Sequence, residues 1–339
     1  MKFGSGQSVR RTEDIRFVTG HGQYTDDLHF DNETFVAFTR SPQAHAKIKS
    51  IDTSAAKAAP GVVAVLTQAD VEAAGAQAMP SMTPMQSRDG SMPKAVDKTL
   101  LAKEQTTFVG EAIAMVIAET YAQARDAAEL VAVDYEELPA AGTLEAAPNA
   151  PAIFEVAPNN ESFDWISGKE AETNEAFARA AQTAKIDVVQ NRIVVNSMET
   201  RNAIGVYDKA SDSYMLYSGS QGAGGLRDRV ARIVGVENTK VRVVTPDVGG
   251  GFGMKAGAYP EQALVLIAAK ITGRPVRWSS DRTEAFLTDQ HGRDTWTKAE
   301  IALDKDGKMF AVRVTGTANM GGYMTFGAPF IPTLAGGRI

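Results

Sequence analysis

The stretch Val248-Gly249-Gly250-Gly251-Phe252-Gly253-Met254-Lys255 places four glycines around one phenylalanine. It follows a valine-rich run over 241–244, which predicts a strand, and precedes a helix-like segment that begins near Tyr259. Glycine permits positive φ angles and a close approach of the backbone to another molecule. The stretch therefore predicts either a plain glycine-rich turn or a backbone cradle for a flat or anionic ligand, and the glycines alone do not decide between the two.

The composition is that of an ordinary globular protein. The chain has 339 residues, of which 44% are hydrophobic and 22% charged, so it has room for two domains with substantial cores. Its net charge of −6 argues against a nucleic-acid-binding face. The sequence contains no 18-residue apolar run, and its first residues lack the apolar stretch of a secretory signal. We therefore expect a cytoplasmic protein without a transmembrane helix.

Cysteine and histidine usage limits the metal chemistry. The chain has no cysteine, which excludes disulfides, thiolate nucleophiles and cysteine-ligated zinc or iron–sulfur clusters within it. Its four histidines stand at 21, 29, 45 and 291, and no two of them have the i, i+4 spacing of a helical metal site. We therefore expect no metal bound directly by this chain, so a redox metal would have to arrive inside an organic cofactor.

The chain divides into two α+β segments in this interpretation. Mixed strand and helix patterns predict a first domain over 1–145, and a proline- and alanine-rich joint leads to a linker over 146–165 and a second domain over 166–339. In the second segment a helix is predicted over 170–184, followed by strands at 185–195, 203–208, 213–219, 240–245 and 308–319. Because the two domains should have separate cores, we expect the strands at 113–117 and 241–245 to lie in different sheets.

About ten short motifs, collinear along the chain, resemble one family. The motifs of the first segment are Gly22-Gln23-Tyr24-Thr25-Asp26-Asp27, Arg40-Ser41-Pro42-Gln43-Ala44-His45-Ala46, Ile51-Asp52, Pro60-Gly61-Val62, Phe108-Val109-Gly110-Glu111 and Val133-Asp134-Tyr135-Glu136-Glu137-Leu138-Pro139. Those of the second are Ser220-Gln221-Gly222, the glycine stretch, Gly273-Arg274-Pro275-Val276-Arg277-Trp278, Asp281-Arg282-Thr283-Glu284 and His291-Gly292-Arg293-Asp294. Together they resemble the molybdenum-cofactor large subunit of the xanthine dehydrogenase, aldehyde oxidase and carbon monoxide dehydrogenase family.

The resemblance implies a fold and an incomplete subunit. It predicts the family's α/β hammerhead domain followed by its first molybdopterin-binding domain, the latter C-terminally incomplete. Family large subunits are roughly twice as long as this chain. The remainder carries a second molybdopterin-binding domain and the catalytic glutamate, so we expect that glutamate to lie beyond Ile339. No catalytic residue is therefore expected in this chain, and the isolated segment is expected to be inactive.

The resemblance also implies a reaction, cofactors and partners. Family members hydroxylate an electrophilic carbon with water as the oxygen source, at a molybdenum–molybdopterin cofactor, here expected in its cytosine dinucleotide form. The cofactor supplies the redox chemistry and the protein supplies binding and orientation. Electrons leave through iron–sulfur clusters to a flavin. Because this chain has no cysteine, the partners expected are a small 2Fe-2S subunit, a medium FAD-binding subunit and the missing second molybdopterin domain.

The family motifs assign site residues to positions of this sequence. Gln221 matches the glutamine whose amide donates to the apical oxo group of the metal, a donor that adds no charge. Gly253 matches the glycine whose backbone N–H approaches the same oxygen. The full set of cofactor-binding residues implied in this way is Gln221, Gly222, Gly250, Gly251, Phe252 and Gly253. Glu199 and Arg201 resemble residues near the pocket mouth; they could form a surface ion pair or contact the substrate, and we favour the surface ion pair.

One departure from the family pattern bears on the substrate. Phe252 and Ala256 are the predicted substrate-pocket residues, and xanthine-oxidising members carry a substrate-binding glutamate at the position of Ala256. A purine held by a carboxylate is therefore not expected, and an aldehyde or N-heteroaromatic substrate fits better. Two alternatives stay open: a non-catalytic scaffold half that completes the cofactor site only with a partner chain, and a phosphate-binding nucleotide domain. The latter lacks both Gly-x-Gly-x-x-Gly and the phosphate-loop ending.

Overall fold

The structure, a computed structural model, describes residues 6–81, 85–325 and 327–335. The helices are α1 Asp14–Val18, α2 Ser54–Lys57, α3 Gln68–Ala73, α4 Tyr121–Ala128, α5 Glu170–Ala178, α6 Ala223–Val234, α7 Pro260–Thr272 and α8 Arg282–Thr288. The strands are β1 Thr34–Arg40, β2 Ala46–Asp52, β3 Val62–Leu66, β4 Gln105–Thr106, β5 Ala112–Ala118, β6 Ala132–Glu137, β7 Gln182–Gln190, β8 Asn202–Asp208, β9 Ser213–Tyr217, β10 Val241–Val244, β11 Val276–Ser279, β12 Thr295–Leu303 and β13 Met309–Ala318. In the described part of the chain, no helix has the length and apolarity needed to cross a membrane.

A seven-stranded mixed sheet forms the centre of the molecule. Its strand order is β10-β9-β8-β11-β1-β5-β3, so it combines strands from both halves of the sequence. The halves meet where β1 pairs in parallel with β11, through Thr34 opposite Val276 and Phe35 opposite Arg277. All seven residues of β5 are buried. This explains why β5 reads as a continuous apolar run rather than an alternating one.

The expectation that strands 113–117 and 241–245 lie in different sheets is wrong, because β5 and β10 belong to the same sheet. On the side of β1 that faces away from β5, the backbone N–H and C=O groups need hydrogen-bond partners. Strand β11 supplies them, and Pro275 O accepts from Thr34 N–H at 2.8 Å. A proline- and alanine-rich joint marks a break in regular structure along the chain, which does not prevent hydrogen bonding between its two sides. The boundaries 1–145, 146–165 and 166–339 stay a prediction.

Helix α7 packs directly on the sheet. Every residue of this helix from Pro260 to Ala269 is buried, as an apolar, alanine-containing run predicts for a helix covered on all sides. Its approach to β8 is so close that a Cβ at Gly205 would lie 2.4 Å from the carbonyl oxygen of Val265. Glycine is thus required at position 205 by helix–sheet packing. Because α7 follows the glycine stretch, this packing also fixes one end of that loop.

Two three-stranded sheets, with orders β4-β2-β6 and β13-β12-β7, complete the fold. The helix predicted over 170–184 ends at Ala178 instead, because Ala181 N–H already donates to Leu303 O at 3.0 Å and leads the chain into β7. Strand β12 was absent from the sequence prediction. It pairs with β13 across a turn in which Gly307 has φ +78°, so the chain forms a β-hairpin there.

Candidate cofactor-binding site

The glycine stretch forms a loop with unusual backbone geometry between β10 and α7. Gly250, Phe252 and Gly253 have φ angles of +105°, +50° and +93°. The left-handed conformation is readily adopted by glycine and costly for phenylalanine, so it persists only where the surroundings impose it. Phe252 is nevertheless 78% exposed. The loop thus holds a large apolar side chain in solvent on a strained backbone, a combination typical of functional sites.

The four glycines of the loop serve different purposes. A Cβ at Gly249 would lie 2.4 Å from Glu199 Cβ, one at Gly250 would lie 2.8 Å from the Phe252 ring, and one at Gly251 would lie 2.7 Å from the Gln221 side chain. At Gly253, apart from its two neighbours in the chain, no described residue comes within 4 Å of such a Cβ. Packing within the chain explains the first three glycines. At Gly253 the positive φ favours glycine, and the space beside it is open to a molecule outside the chain.

Gln221 and Gly253, which are 32 residues apart in sequence, are brought together. Gly253 N–H donates to Gln221 Oε1 at 2.9 Å, and Gln221 N–H donates to Lys255 O at 3.0 Å. The sequence prediction placed both groups at one ligand atom as donors. In this structure Gly253 N–H bonds to Gln221, so the side-chain amide nitrogen of Gln221 is the remaining donor of this pair. The orientation of the amide follows from this hydrogen bond.

Helix α6 begins beside the loop and presents open backbone donors. Gly222 is its N-cap residue and provides no side-chain cap, while Gly222, Gly224 and Gly225 are all exposed. The first turn of a helix has unpaired N–H groups and a partial positive charge. A helix start without side chains, next to a loop without side chains, fits an anionic or oxo-bearing cofactor such as molybdopterin with its phosphate and metal oxo group.

The interpretation of Glu199 and Arg201 as a surface ion pair is wrong, because the two residues do not pair and neither is on the surface. Glu199 pairs with Lys255, its Oε2 lying 2.7 Å from Lys255 Nζ, and both side chains are largely buried. Arg201 bonds to Asp289 at 2.6 Å and to Glu261 at 2.9 Å. In a regular strand, residues two apart lie on the same face. Strand β8 begins only at Asn202, so Glu199 and Arg201 lie before it, and their side chains contact different elements.

A buried ladder of charges lies behind the loop. Its rungs are Asp289, Arg201, Glu261 and Arg40, with Glu284 hydrogen-bonded to Arg40 at 2.7 Å. Burial alone would raise the pKa of Glu261, but the guanidinium groups of Arg201 and Arg40 outweigh burial and hold that pKa at about 2. Every charge in the ladder has an opposite partner, which is the condition under which buried ions are tolerated.

Tyr259 connects the ladder to the loop. The guanidinium carbon of Arg201 lies 3.8 Å from the centre of the Tyr259 ring, and Tyr259 Oη donates to Met254 O at 2.9 Å. Burial raises the pKa of this phenol, so its proton remains available for that hydrogen bond. Met254 directly follows Gly253, and the loop is therefore anchored from below at the residue next to its exposed N–H.

The predicted substrate-pocket residues lie near the loop but line neither of two cavities found elsewhere in the molecule. Ala256 sits in the single turn Met254–Ala256, and its carbonyl accepts from Arg229 Nη1 at 3.1 Å. One cavity, about 50 Å³, is lined by residues that include Met79, Lys98 and Tyr323, and a second by Arg40, Lys98 and Tyr259. Neither includes Phe252 or Ala256. In the described residues, no group of three or more histidine, cysteine, aspartate or glutamate side chains could hold a metal ion.

Sequence reasoning missed the roles of Lys255, Tyr259 and Glu261 in supporting this site. A signal was present, since a lysine that follows a glycine loop and a Tyr-Pro-Glu helix start are unusual among apolar neighbours. Their partners are 60 or so residues away along the chain, at Glu199 and Arg201. A pairing over such a separation leaves no local pattern.

Comparison with known proteins identifies the family. Residues 19–139 match the aldehyde oxidase and xanthine dehydrogenase a/b hammerhead domain, and residues 153–337 match the molybdopterin cofactor-binding domain. The chain is 36% identical over 334 residues to the carbon monoxide dehydrogenase large chain of Afipia carboxidovorans, an alignment that covers 94% of this chain and 40% of that protein. It is 33% identical to the nicotine 6-hydroxylase large subunit of Paenarthrobacter nicotinovorans, with 94% and 38% covered.

Solved structures agree with the sequence comparison. The reconstituted CO dehydrogenase from Oligotropha carboxidovorans superposes with a TM-score of 0.82 at 35% identity, covering 92% of this chain and 39% of that one. Quinoline 2-oxidoreductase from Pseudomonas putida 86 gives a TM-score of 0.79 at 35% identity, with the same coverage. This chain spans about 40% of the length of these relatives. It belongs to the molybdopterin-binding oxidoreductases of the xanthine dehydrogenase and aldehyde oxidase family, and it comprises that family's hammerhead domain followed by its molybdopterin cofactor-binding domain.

Proposed function

We propose that this chain forms one wall of the molybdenum centre in a hydroxylase that oxidises an aldehyde or an N-heteroaromatic C–H bond with water as the oxygen source. The observation that carries the proposal is the junction of Gln221 and Gly253 beside the open start of α6. The Gln221 amide and the first backbone N–H groups of α6 meet there on an exposed surface formed largely by glycines. A molybdopterin cofactor, expected in its cytosine dinucleotide form, would supply the redox chemistry at that surface.

The residues of this chain bind and orient rather than react. The side-chain amide nitrogen of Gln221 offers a neutral donor, which would stabilise developing negative charge without a buried ion, and Gly253 N–H holds that amide through its bond to Gln221 Oε1. The N-terminal turn of α6, from Gly222, would receive an anionic group of the cofactor. Phe252, exposed and held on a strained backbone, would form an apolar wall for the substrate and exclude water. The general base is expected from the second molybdopterin domain.

The substrate class follows from what the loop lacks. Ala256 places no carboxylate next to Lys255, and the ammonium group of Lys255 is engaged by Glu199 below the loop. A substrate is therefore recognised here by shape and apolar contact rather than by charge. The names of two relatives, nicotine 6-hydroxylase and quinoline 2-oxidoreductase, support an N-heteroaromatic substrate. The name of another, carbon monoxide dehydrogenase, makes carbon monoxide the competitor to test.

The proposed assembly is cytoplasmic and heteromeric. The chain has no cysteine to hold an iron–sulfur cluster, so a small 2Fe-2S subunit and a medium FAD-binding subunit would carry the electrons away, and a second molybdopterin domain would close the site. Without these parts this segment would be inactive. In the alternative, the chain would be a non-catalytic scaffold half that completes the cofactor site only with a partner chain.

The experiment is cofactor extraction with metal analysis and turnover on the complete complex. We expect molybdenum and a pterin nucleotide in equal amounts, and turnover of aldehydes or N-heteroaromatics with ¹⁸O incorporated from labelled water. The isolated chain, assayed in parallel, should turn over none of these compounds. A complex that carries the cofactor but oxidises only carbon monoxide would overturn the substrate class, and a complex without molybdenum would overturn the proposal as a whole.

A further inference from the structure

A buried ion pair closes the glycine loop from below. Lys255 Nζ lies 2.7 Å from Glu199 Oε2 and also donates to Glu199 O at 3.0 Å. The same carboxylate oxygen accepts from Gly249 N–H at 2.8 Å, while Glu199 N–H donates to Gly249 O at 3.1 Å. Glu199 is therefore bonded to the first glycine of the loop and to the lysine that ends it.

The packing around this pair leaves little freedom. The Lys255 side chain is 1% exposed and the Glu199 side chain 12% exposed. A Cβ at Gly219 would lie 3.2 Å from Glu199 Oε2 and 3.4 Å from Lys255 Nζ, so the backbone after β9 closes over the pair. Asn202 Nδ2 donates to the second carboxylate oxygen, Oε1, at 3.1 Å. Both side chains are thus held in one arrangement.

The pair is connected to the proposed cofactor donors through the main chain. Lys255 O accepts from Gln221 N–H at 3.0 Å, and Gln221 Oε1 accepts from Gly253 N–H at 2.9 Å. The contacts form a closed ring from Glu199 through Gly249, Gly253, Gln221 and Lys255 back to Glu199. A shift of the Lys255 side chain would therefore move the carbonyl that fixes Gln221.

We propose that Glu199 and Lys255 are positioning residues, which set the relative placement of the Gln221 amide and the Gly253 N–H. A buried ion pair is poor evidence for stability, because a well-packed apolar pair of similar volume is often as stable. Here the ion pair instead holds a single geometry at a loop composed largely of glycines, which have no side chains to define it. This inference rests on the proposed function, since the placement of the Gln221 amide matters only if a cofactor meets it.

The test uses the complete, molybdenum-loaded complex with Lys255→Met, Glu199→Gln and the double variant Glu199→Gln/Lys255→Met. The exposed pair of Lys103 and Glu72, at 3.0 Å, provides the control Lys103→Met. Lys255→Met leaves a buried carboxylate unpaired and should lose thermal stability and cofactor. The double variant buries no charge, and the amide oxygen introduced by Glu199→Gln still accepts from Gly249 N–H, so its stability and molybdenum content should return to those of the wild type.

The decisive readout is the electron paramagnetic resonance spectrum of the reduced, loaded double variant, together with its kcat and KM. If the pair positions the donors, the spectrum stays shifted and kcat stays about 100-fold low at an unchanged KM, the loss typical of one misplaced donor. If the double variant regains the wild-type spectrum and kcat, the pair is merely structural and the inference is overturned. A wild-type complex without molybdopterin would instead defeat the proposed function, and the inference with it.

Discussion

The exposed loop and the buried ladder behind it are built from opposite kinds of groups. The loop over 249–253 presents backbone donors and glycines, with Phe252 as its one large side chain. The ladder centred on Arg201 and Glu261 consists of charged side chains, each paired with an opposite charge. Tyr259 joins the two through its contact with Arg201 and its bond to Met254 O. From this difference we expect substitutions in the ladder to lower the stability of the fold, whereas substitutions in the loop should lower cofactor content and the rate of turnover.

The largest expected effect is on the stability of the ladder. Arg201→Met would leave Glu261 and Asp289 without their shared partner, and removing one member of a buried ion pair costs about 3–5 kcal/mol. Urea unfolding of the isolated chain measures this loss. The control Arg227→Met removes an exposed arginine that pairs with Asp228 and should cost less than about 1 kcal/mol. Equal losses in the two variants would remove the distinction between a compensated ladder and ordinary surface charge.

The next effect is on the loop and concerns rate rather than stability. Gln221 is exposed, so Gln221→Ala should leave unfolding nearly unchanged. In the complete complex it should retain the cofactor and lose about 2–3 kcal/mol of transition-state stabilisation, which is what one positioned donor supplies. The measurement is kcat/KM beside molybdenum content. Full activity in this variant would mean that the Gln221 amide does not face the reacting centre.

A smaller effect is expected in the pH dependence of stability, where two buried carboxylates should act with opposite signs. The pKa of Glu261 is depressed to about 2, so its contribution is present above the unfolded pKa of about 4.5 and is lost as pH falls towards 2. Burial raises the pKa of Glu111, which is 2% exposed and whose Oε1 has no hydrogen-bond partner among the described residues. As pH falls through that raised pKa, Glu111 becomes neutral in the folded protein, and the free-energy cost of burying its charge is removed.

Two variants separate these contributions. The stability advantage of the wild type over Glu261→Gln should shrink as the solution is made acidic below about pH 4.5. The stability of the wild type relative to Glu111→Gln should instead rise as pH falls from neutrality through the raised pKa of Glu111. Chemical unfolding at a series of pH values measures both differences. The same sign of slope for the two variants would contradict the contrast between a buried carboxylate held by two guanidinium groups and one for which burial outweighs its partners.

Local patterns in the sequence were sufficient for the loop and for several elements around it. The apolar run of β5, the strand before the glycines and the start of α7 near Tyr259 were predicted and are present. Gln221 and Gly253 were paired through the family resemblance, and the structure brings them into contact, although their role towards a cofactor stays a prediction.

Long-range pairing accounts for what was missed. The bond between β1 and β11 joins residues about 240 positions apart, and this bond merges two expected sheets into one. Glu199 and Arg201 were misread because their partners, Lys255, Glu261 and Asp289, come from distant elements. The elements that pack over a charged residue determine whether it is buried. Hydrophobic periodicity along the chain does not predict which distant elements those are.

The most direct test of the central claim is the molybdenum and pterin content of the complete complex with Gly253→Val, compared with Gly307→Val. Both glycines have positive φ angles, +93° and +78°, and apart from its chain neighbours neither has a described residue within 4 Å of an added Cβ. The backbone strain of the two substitutions is therefore matched, but Gly307 lies in the β12–β13 hairpin, away from the loop. We predict loss of cofactor and activity in Gly253→Val alone. Wild-type molybdenum content and turnover in Gly253→Val would contradict the assignment of this loop to the molybdenum centre.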